Sequence, residues 1–150
     1  YNYFISKKEL MLAILSEIGA AHCVFIVEQV RQEVDFKMRI DRLFEAGFDY
    51  VRANPYQAKV LFAMLQGTNL TFKQHLSQVY QPMFTLITND ILIPGMEKGI
   101  FQALNPVSTT IMIMTFYLGL GSIVDENGEP PLDLKEAAAF VLRALGAKES

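Results

Sequence analysis

Asn105-Pro106-Val107-Ser108-Thr109-Thr110-Ile111-Met112-Ile113-Met114-Thr115-Phe116-Tyr117-Leu118-Gly119-Leu120-Gly121-Ser122-Ile123-Val124 is the centre of a stretch, Gly99 to Val124, without one charged residue. Asn105 suits an N-cap and Pro106 the first helical position, so a helix opens here. A helix that is apolar nearly all round must be covered by a large core, by lipid or by a second subunit. The sequence around it decides which.

Upstream, Ser6-Lys7-Lys8-Glu9 forms an S-x-x-E capping box, and Leu10, Met11, Ile14, Leu15 and Ile18 follow at helical spacing. Gly19 is expected to bend or break this helix before a second apolar run, Cys23 to Val30. A three-four stripe from Phe36 to Val51 predicts a helix over 34–53, and Asn54-Pro55 caps the next, which runs to Gln66. Phe72, Leu76, Val79, Tyr80, Met83, Phe84, Ile87 and Ile91 mark one long helix, with a kink or a break expected at Pro82. Asp125 to Pro131 is a charged, Gly- and Pro-rich loop. Asp133 and Glu136 open a last helix over 134–145, with Gly146 as its C-cap. The reading is an all-α bundle of about six helices with short connections.

The other helices read as amphipathic, acidic residues follow the uncharged helix directly, and no Lys/Arg cluster sets an orientation, which argues against lipid. With 150 residues, 51% hydrophobic and 19% charged, the chain is long and apolar enough for one packed core. A net charge of −3 argues against a nucleic-acid surface within these residues. The single cysteine, Cys23, excludes an internal disulfide and reads as a small buried hydrophobe.

Catalytic chemistry is not visible. His22 and His75 lack a metal-spaced partner, so no metal and no cofactor is expected. His75 lies among polar residues and reads as a surface group. His22 sits in an apolar helix and reads as a satisfied core or pocket histidine. Gly119-Leu120-Gly121 lacks the third glycine and the preceding strand of a dinucleotide fingerprint, and the carboxylates form no acid/base pair. The aromatic and Met side chains of the central helices have two readings. They are core, or some line a pocket of the kind that forms between helices. His22, Phe44, Phe48, Phe62, Gln66, Tyr80, Met83, Phe84 and Ile87 are the candidate ligand-binding residues, with Asn69 and Asn89 as further polar contacts.

Tyr1-Asn2-Tyr3-Phe4-Ile5-Ser6-Lys7-Lys8-Glu9-Leu10 resembles the segment by which TetR-family transcriptional regulators leave their helix-turn-helix domain. Pro94-Gly95-Met96-Glu97-Lys98-Gly99-Ile100-Phe101, with the Asn-Pro start and uncharged helix after it, is similar to the family's approach to its first dimerisation helix. Between the two, only helix order and length match. The resemblance implies a remnant of the DNA-binding domain over 1–5 and an effector-binding and dimerisation domain over 6–150. Tyr1 and Lys7 match family positions that touch DNA phosphates. It also implies a cytoplasmic bacterial regulator, commonly a repressor, that is not an enzyme. A homodimer would bind operator DNA through a helix-turn-helix absent from this chain, under control of a small apolar or amphipathic effector. The alternative is a helical protein-protein interaction module without an effector.

Under either reading the uncharged helix needs a second cover, because six helices leave little to wrap it. One face is expected on its own domain. The other is expected across a two-fold axis, in a four-helix seam with the last helix. Ser108, Thr109, Met112, Phe116, Leu120, Val141 and Leu145 are the candidate interface, with Gly119 and Gly121 allowing close approach.

Overall fold

The computed structural model describes residues 6–148, and every regular element among them is helical. In chain order these are α1 (Lys7–Arg31), α2 (Phe36–Ala53), α3 (Pro55–Gln66), α4 (Leu70–Val79), α5 (Gln81–Thr85), a π-helical segment (Leu86–Leu92), α6 (Ile93–Glu97), α7 (Pro106–Gly121) and α8 (Leu134–Ala144). Since α5, the π segment and α6 run on without interruption, the described chain makes seven rods where the sequence predicts six. The segment expected to be a remnant of a DNA-binding domain, Tyr1 included, lies outside the described residues. Lys7 is the first, exposed residue of α1.

Local chemistry sets the ends. Ser6 Oγ accepts from the Glu9 amide at 3.2 Å, Asp35 Oδ1 from the Lys37 amide at 2.8 Å, and Asn105 Oδ1 from the Ser108 amide at 2.9 Å. These side chains satisfy donors that a helix start leaves orphaned. Asn54 differs from expectation: its side chain caps nothing at α3 and instead donates to the Tyr50 carbonyl at 3.1 Å, closing α2.

One proline explains the extra rod, and a second explains why the rod after it stays whole. Pro82 lacks an amide hydrogen and cannot sit deep in a helix. The long helix therefore breaks at Tyr80, and α5 opens with Pro82 in its first turn. Pro94 frees the carbonyl of Asp90 four residues back, and Arg39 Nη1 donates to that oxygen at 2.7 Å. The helix passes through Pro94 because this orphan is taken up, with the widened π turns just before it.

Gly19 does not break α1, which is continuous over 25 residues. A Cβ there would stand 2.7 Å from Val79 Cγ1. The glycine serves close approach of α4 to α1, not chain reversal. The main core joins Leu15, Ile26, Ile40, Leu43, Phe44, Phe48, Leu76, Met83, Ile91, Ile113 and Tyr117 across α1, α2, α4, α5, the π segment and α7, and reaches α8 through Val141. A satellite of Val51, Ala58 and Phe62 lies beside it.

The uncharged helix has two different faces. Thr109, Thr110, Ile113, Tyr117, Leu120 and Gly121 are buried, while Val107, Ile111 and Met112 are exposed, Met112 by 63%. By length and composition it is α1, not α7, that meets the measure of a membrane span, with mean hydropathy 2.1 over 18 residues. That corrects the expectation that every helix but α7 is plainly amphipathic.

Candidate functional site: a buried histidine knot beside an apolar cleft

Burial of His22 follows from its place on α1, one turn after Gly19, where α2, Tyr80 and α7 close over it. Its ring is 1% exposed and hydrogen-bonded at both nitrogens: Nδ1 lies 2.6 Å from the Tyr80 hydroxyl and Nε2 2.9 Å from the Tyr117 hydroxyl. Tyr50 stacks on it with ring centroids 4.9 Å apart. Burial lowers the His22 pKa from 6.5 to about 4, and the Gly47 carbonyl offsets only part of this. A neutral imidazole has one donor and one acceptor, so one tyrosine hydroxyl accepts a hydrogen bond from the ring N–H and the other donates one to the bare ring nitrogen. Burial likewise pushes the Tyr80 and Tyr117 hydroxyls well above their ordinary range and raises the Cys23 thiol. All four groups are uncharged at neutral pH. Among the described residues, no buried side-chain nitrogen or oxygen lacks a partner.

The fit is tight. A Cβ on Gly47 would run into the Tyr117 hydroxyl. Tyr117 packs edge-on against Phe48 at 5.8 Å and beside Phe44 at 6.0 Å. Such a site holds a fixed polar knot inside an apolar core, with no space for a ligand at the ring itself.

Space for a ligand lies on the other side of Tyr80. A cleft of about 380 Å³ runs between α4 and α5 on one wall and α7 on the other, with Leu65 of α3 at one end. Leu76, Tyr80, Phe84, Ile111, Met114 and Leu118 supply its apolar surface; Lys73, Ser77, Gln81 and Thr115 supply its polar groups. This lies within the range of small-molecule sites, and the few polar groups in an apolar lining are their usual composition.

Of the candidate ligand residues, Tyr80 and Phe84 line this cleft. His22 reaches it only through Tyr80. Phe62 and Gln66 belong to a separate cavity of about 310 Å³ between α2, α3 and the end of α7. Phe44, Phe48, Met83 and Ile87 are core residues, each no more than 1% exposed. Asn69 is the cap of α4, and Asn89 is exposed. His75 is half-buried, not a free surface group, and its Nε2 shares a hydrogen bond with Ser16 Oγ of α1. Sequence reasoning misses Leu65, Lys73 and the α7 wall, because it gives α7 one face on its own domain and one across a dimer seam, with ligand contacts placed elsewhere. The apolar residues of α7 run all round the helix, and that is the signal that it serves more than one surface.

On the outer side of α7, a groove of about 220 Å³ is lined by Leu104, Thr109, Met112, Ile113, Phe116, Phe140, Val141, Ala144 and Leu145. Five of the candidate interface residues are therefore neighbours here. The Phe116 and Phe140 rings pack at a tilt with centroids 5.5 Å apart, and Phe140 remains 57% exposed. Ser108 is exposed beside the groove, whereas Leu120 is buried in the chain's own core, and of those five groove residues Thr109, Val141 and Leu145 are themselves buried. Gly121 also faces inward, onto the Phe62 ring, while Gly119 has open space around it. Among the described residues, no three His, Cys, Asp or Glu side chains stand together as a metal site.

No family model and no curated protein matches this chain. Solved structures do match in fold. The fatty acid degradation regulator FadR from Bacillus halodurans superposes with a TM-score of 0.78 at 20% identity, covering 99% of this chain and 78% of that one. The transcriptional regulator FadR from Bacillus subtilis, solved in complex with stearoyl-CoA, gives 0.75 at 19% identity over 95% of this chain and 76% of that one. PfmR, a TetR-family regulator from Thermus thermophilus, gives 0.67 at 18% identity over 100% and 81%. The fold is that of TetR-family regulators, as the sequence resemblance implies.

Proposed function

We propose that this chain is the effector-binding and dimerisation part of a ligand-responsive transcriptional regulator. Its effector is an apolar or amphipathic molecule held in the cleft between α4, α5 and α7. The carrying observation is that cleft: an apolar slot of about 380 Å³ whose wall residue Tyr80 is also bonded to α1. A long-chain effector agrees with the apolar lining, with Lys73 and Gln81 at hand for a polar head. The stearoyl-CoA bound to the similarly folded Bacillus subtilis regulator supports the same class.

DNA contact belongs to a helix-turn-helix preceding α1, and two copies joined through α7 and α8 would set its spacing. The ligand acts only by its differential affinity for the DNA-competent and DNA-incompetent arrangements. Release from operator DNA on binding, as in a repressor, is the direction proposed.

A thermal-shift screen tests the effector class, since a ligand of the native state raises stability by about 2.7 kcal/mol at a concentration of 100 Kd. Saturated long-chain acyl carboxylates and thioesters are expected to raise the melting temperature, and short polar metabolites are not. Failure of every chemical class to shift the curve would overturn the effector reading in favour of a helical interaction module.

A further inference from the structure

Tyr80 occupies three roles at once. It closes α4 at the break before Pro82, it lines the cleft, and its hydroxyl bonds His22 of α1 at 2.6 Å. The edge of its ring also sits over Gly19, 3.5 Å from where a Cβ would stand. On the far side of the imidazole, Tyr117 of α7 completes the chain at 2.9 Å. Three segments distant in sequence thus meet through one ring, and the ring cannot satisfy both hydroxyls independently. Its single proton fixes which nitrogen donates, so the role taken by one tyrosine dictates the role left to the other.

We propose that the Tyr80–His22–Tyr117 hydrogen-bonded chain is a positioning relay that ties the wall of the cleft to α1 and α7. It rests on the reading that the cleft takes an effector. A ligand that swings Tyr80 off α1 strips His22 Nδ1 of its partner in a site without water access. The ring must then turn or change tautomer, and Tyr117 feels the change directly. The Tyr80 backbone is held on both sides, its amide donating to the Leu76 carbonyl at 2.9 Å and its carbonyl accepting from the Phe84 amide at 3.1 Å, so the motion the relay needs is a turn of the side chain that lines the cleft. Tyr117 transmits motion because Gly47 leaves its hydroxyl no slack on the α2 side.

Hydrogen exchange of the ligand-free chain tests the relay directly. Tyr80→Phe is expected to speed exchange of the α7 amides around Tyr117 by about fivefold or more. Tyr117→Phe, which leaves the cleft lining intact, is expected to do the same for 76–84. Ile40→Val, a core change outside the chain, serves as the matched control and should leave both segments within about twofold. In ¹⁵N spectra of the imidazole, loss of either hydroxyl should shift both ring nitrogens, a signature that ordinary loosening does not produce. Exchange confined to the substituted side, with ring nitrogens that respond singly, overturns the relay.

Dodecanoate is the probe for the cleft. If it binds the wild-type chain and speeds exchange at His22 and Tyr117 equally in Tyr80→Phe, the relay is overturned while the cleft stands. If it does not bind, the effector class is in question, and the ligand-free exchange still decides the relay.

Discussion

The inner and outer sides of α7 invert the ordinary division of a protein. Inside, a histidine and two tyrosine hydroxyls sit in the core; outside, Met112, Phe116 and Phe140 line a groove open to solvent. The inner polar groups are complete within the chain, since each has its partner. The outer apolar groups stay open to solvent, and under the proposed reading they are the surface that a second copy would cover. Burial of polar atoms here comes with complete hydrogen bonding, while the exposed apolar ones are where the proposed dimer can be tested.

The harshest way to break that contrast is to put charge into the groove. Met112→Glu and Phe116→Glu are each expected to turn a dimer into monomer or aggregate, since an unpaired buried charge costs roughly 3–5 kcal/mol. Sedimentation at micromolar concentration reads the outcome. Two well-folded dimers would place the seam elsewhere, and a wild-type monomer would remove it.

Acid should attack the inner side alone. His22 titrates at about 4 when folded and near 6.5 when unfolded, so the unfolded chain binds more protons between those values. Stability held above pH 6.5 is then lost as the pH falls to about 4, by about 3 kcal/mol from this group. Urea unfolding along the pH series should show that slope, and His22→Gln should flatten it.

Two glycines near the end of α7 sharpen the comparison further. Gly121→Ala forces a methyl onto the Phe62 ring and is expected to cost about 1–3 kcal/mol. Gly119 has open space, so Gly119→Ala should stabilise the monomer by about 0.5–1 kcal/mol through helix propensity. Calorimetry of both variants separates inward from outward packing with single methyl groups.

Much of the fold is legible because its signals are local. Caps at Ser6 and Asn105, the stop at Asn54-Pro55 and the stripe of α2 depend on neighbours within a turn. Gly19 misleads for the same reason: a glycine that breaks a helix and one that admits a neighbour look identical until α4 is placed. The site is less legible. His22 as a satisfied histidine follows from its apolar surroundings, but its partners stand 58 and 95 residues away. Phe44, Phe48 and Phe84 share a residue type and a helical period, and only packing assigns the first two to the core and the third to the cleft. The α7 groove is legible because so many apolar residues on one uncharged helix have few ways to be covered.

Continuous α1 has a mechanical consequence. Its 25 residues make a stiff beam roughly 37 Å long, and Gly19 stands at the middle, about 18 Å from either tip. At that midpoint Val79 and Tyr80 press directly on the helix backbone, as a fulcrum does. A rocking of about 5° would carry both tips about 1.5 Å in opposite senses. One tip is Arg31, paired with Asp90 at 3.3 Å; the other is Lys7, just after the Ser6 cap. A tilt of α1 about Gly19 would therefore be largest at its two ends, Lys7 and Arg31, and least beside the cleft wall.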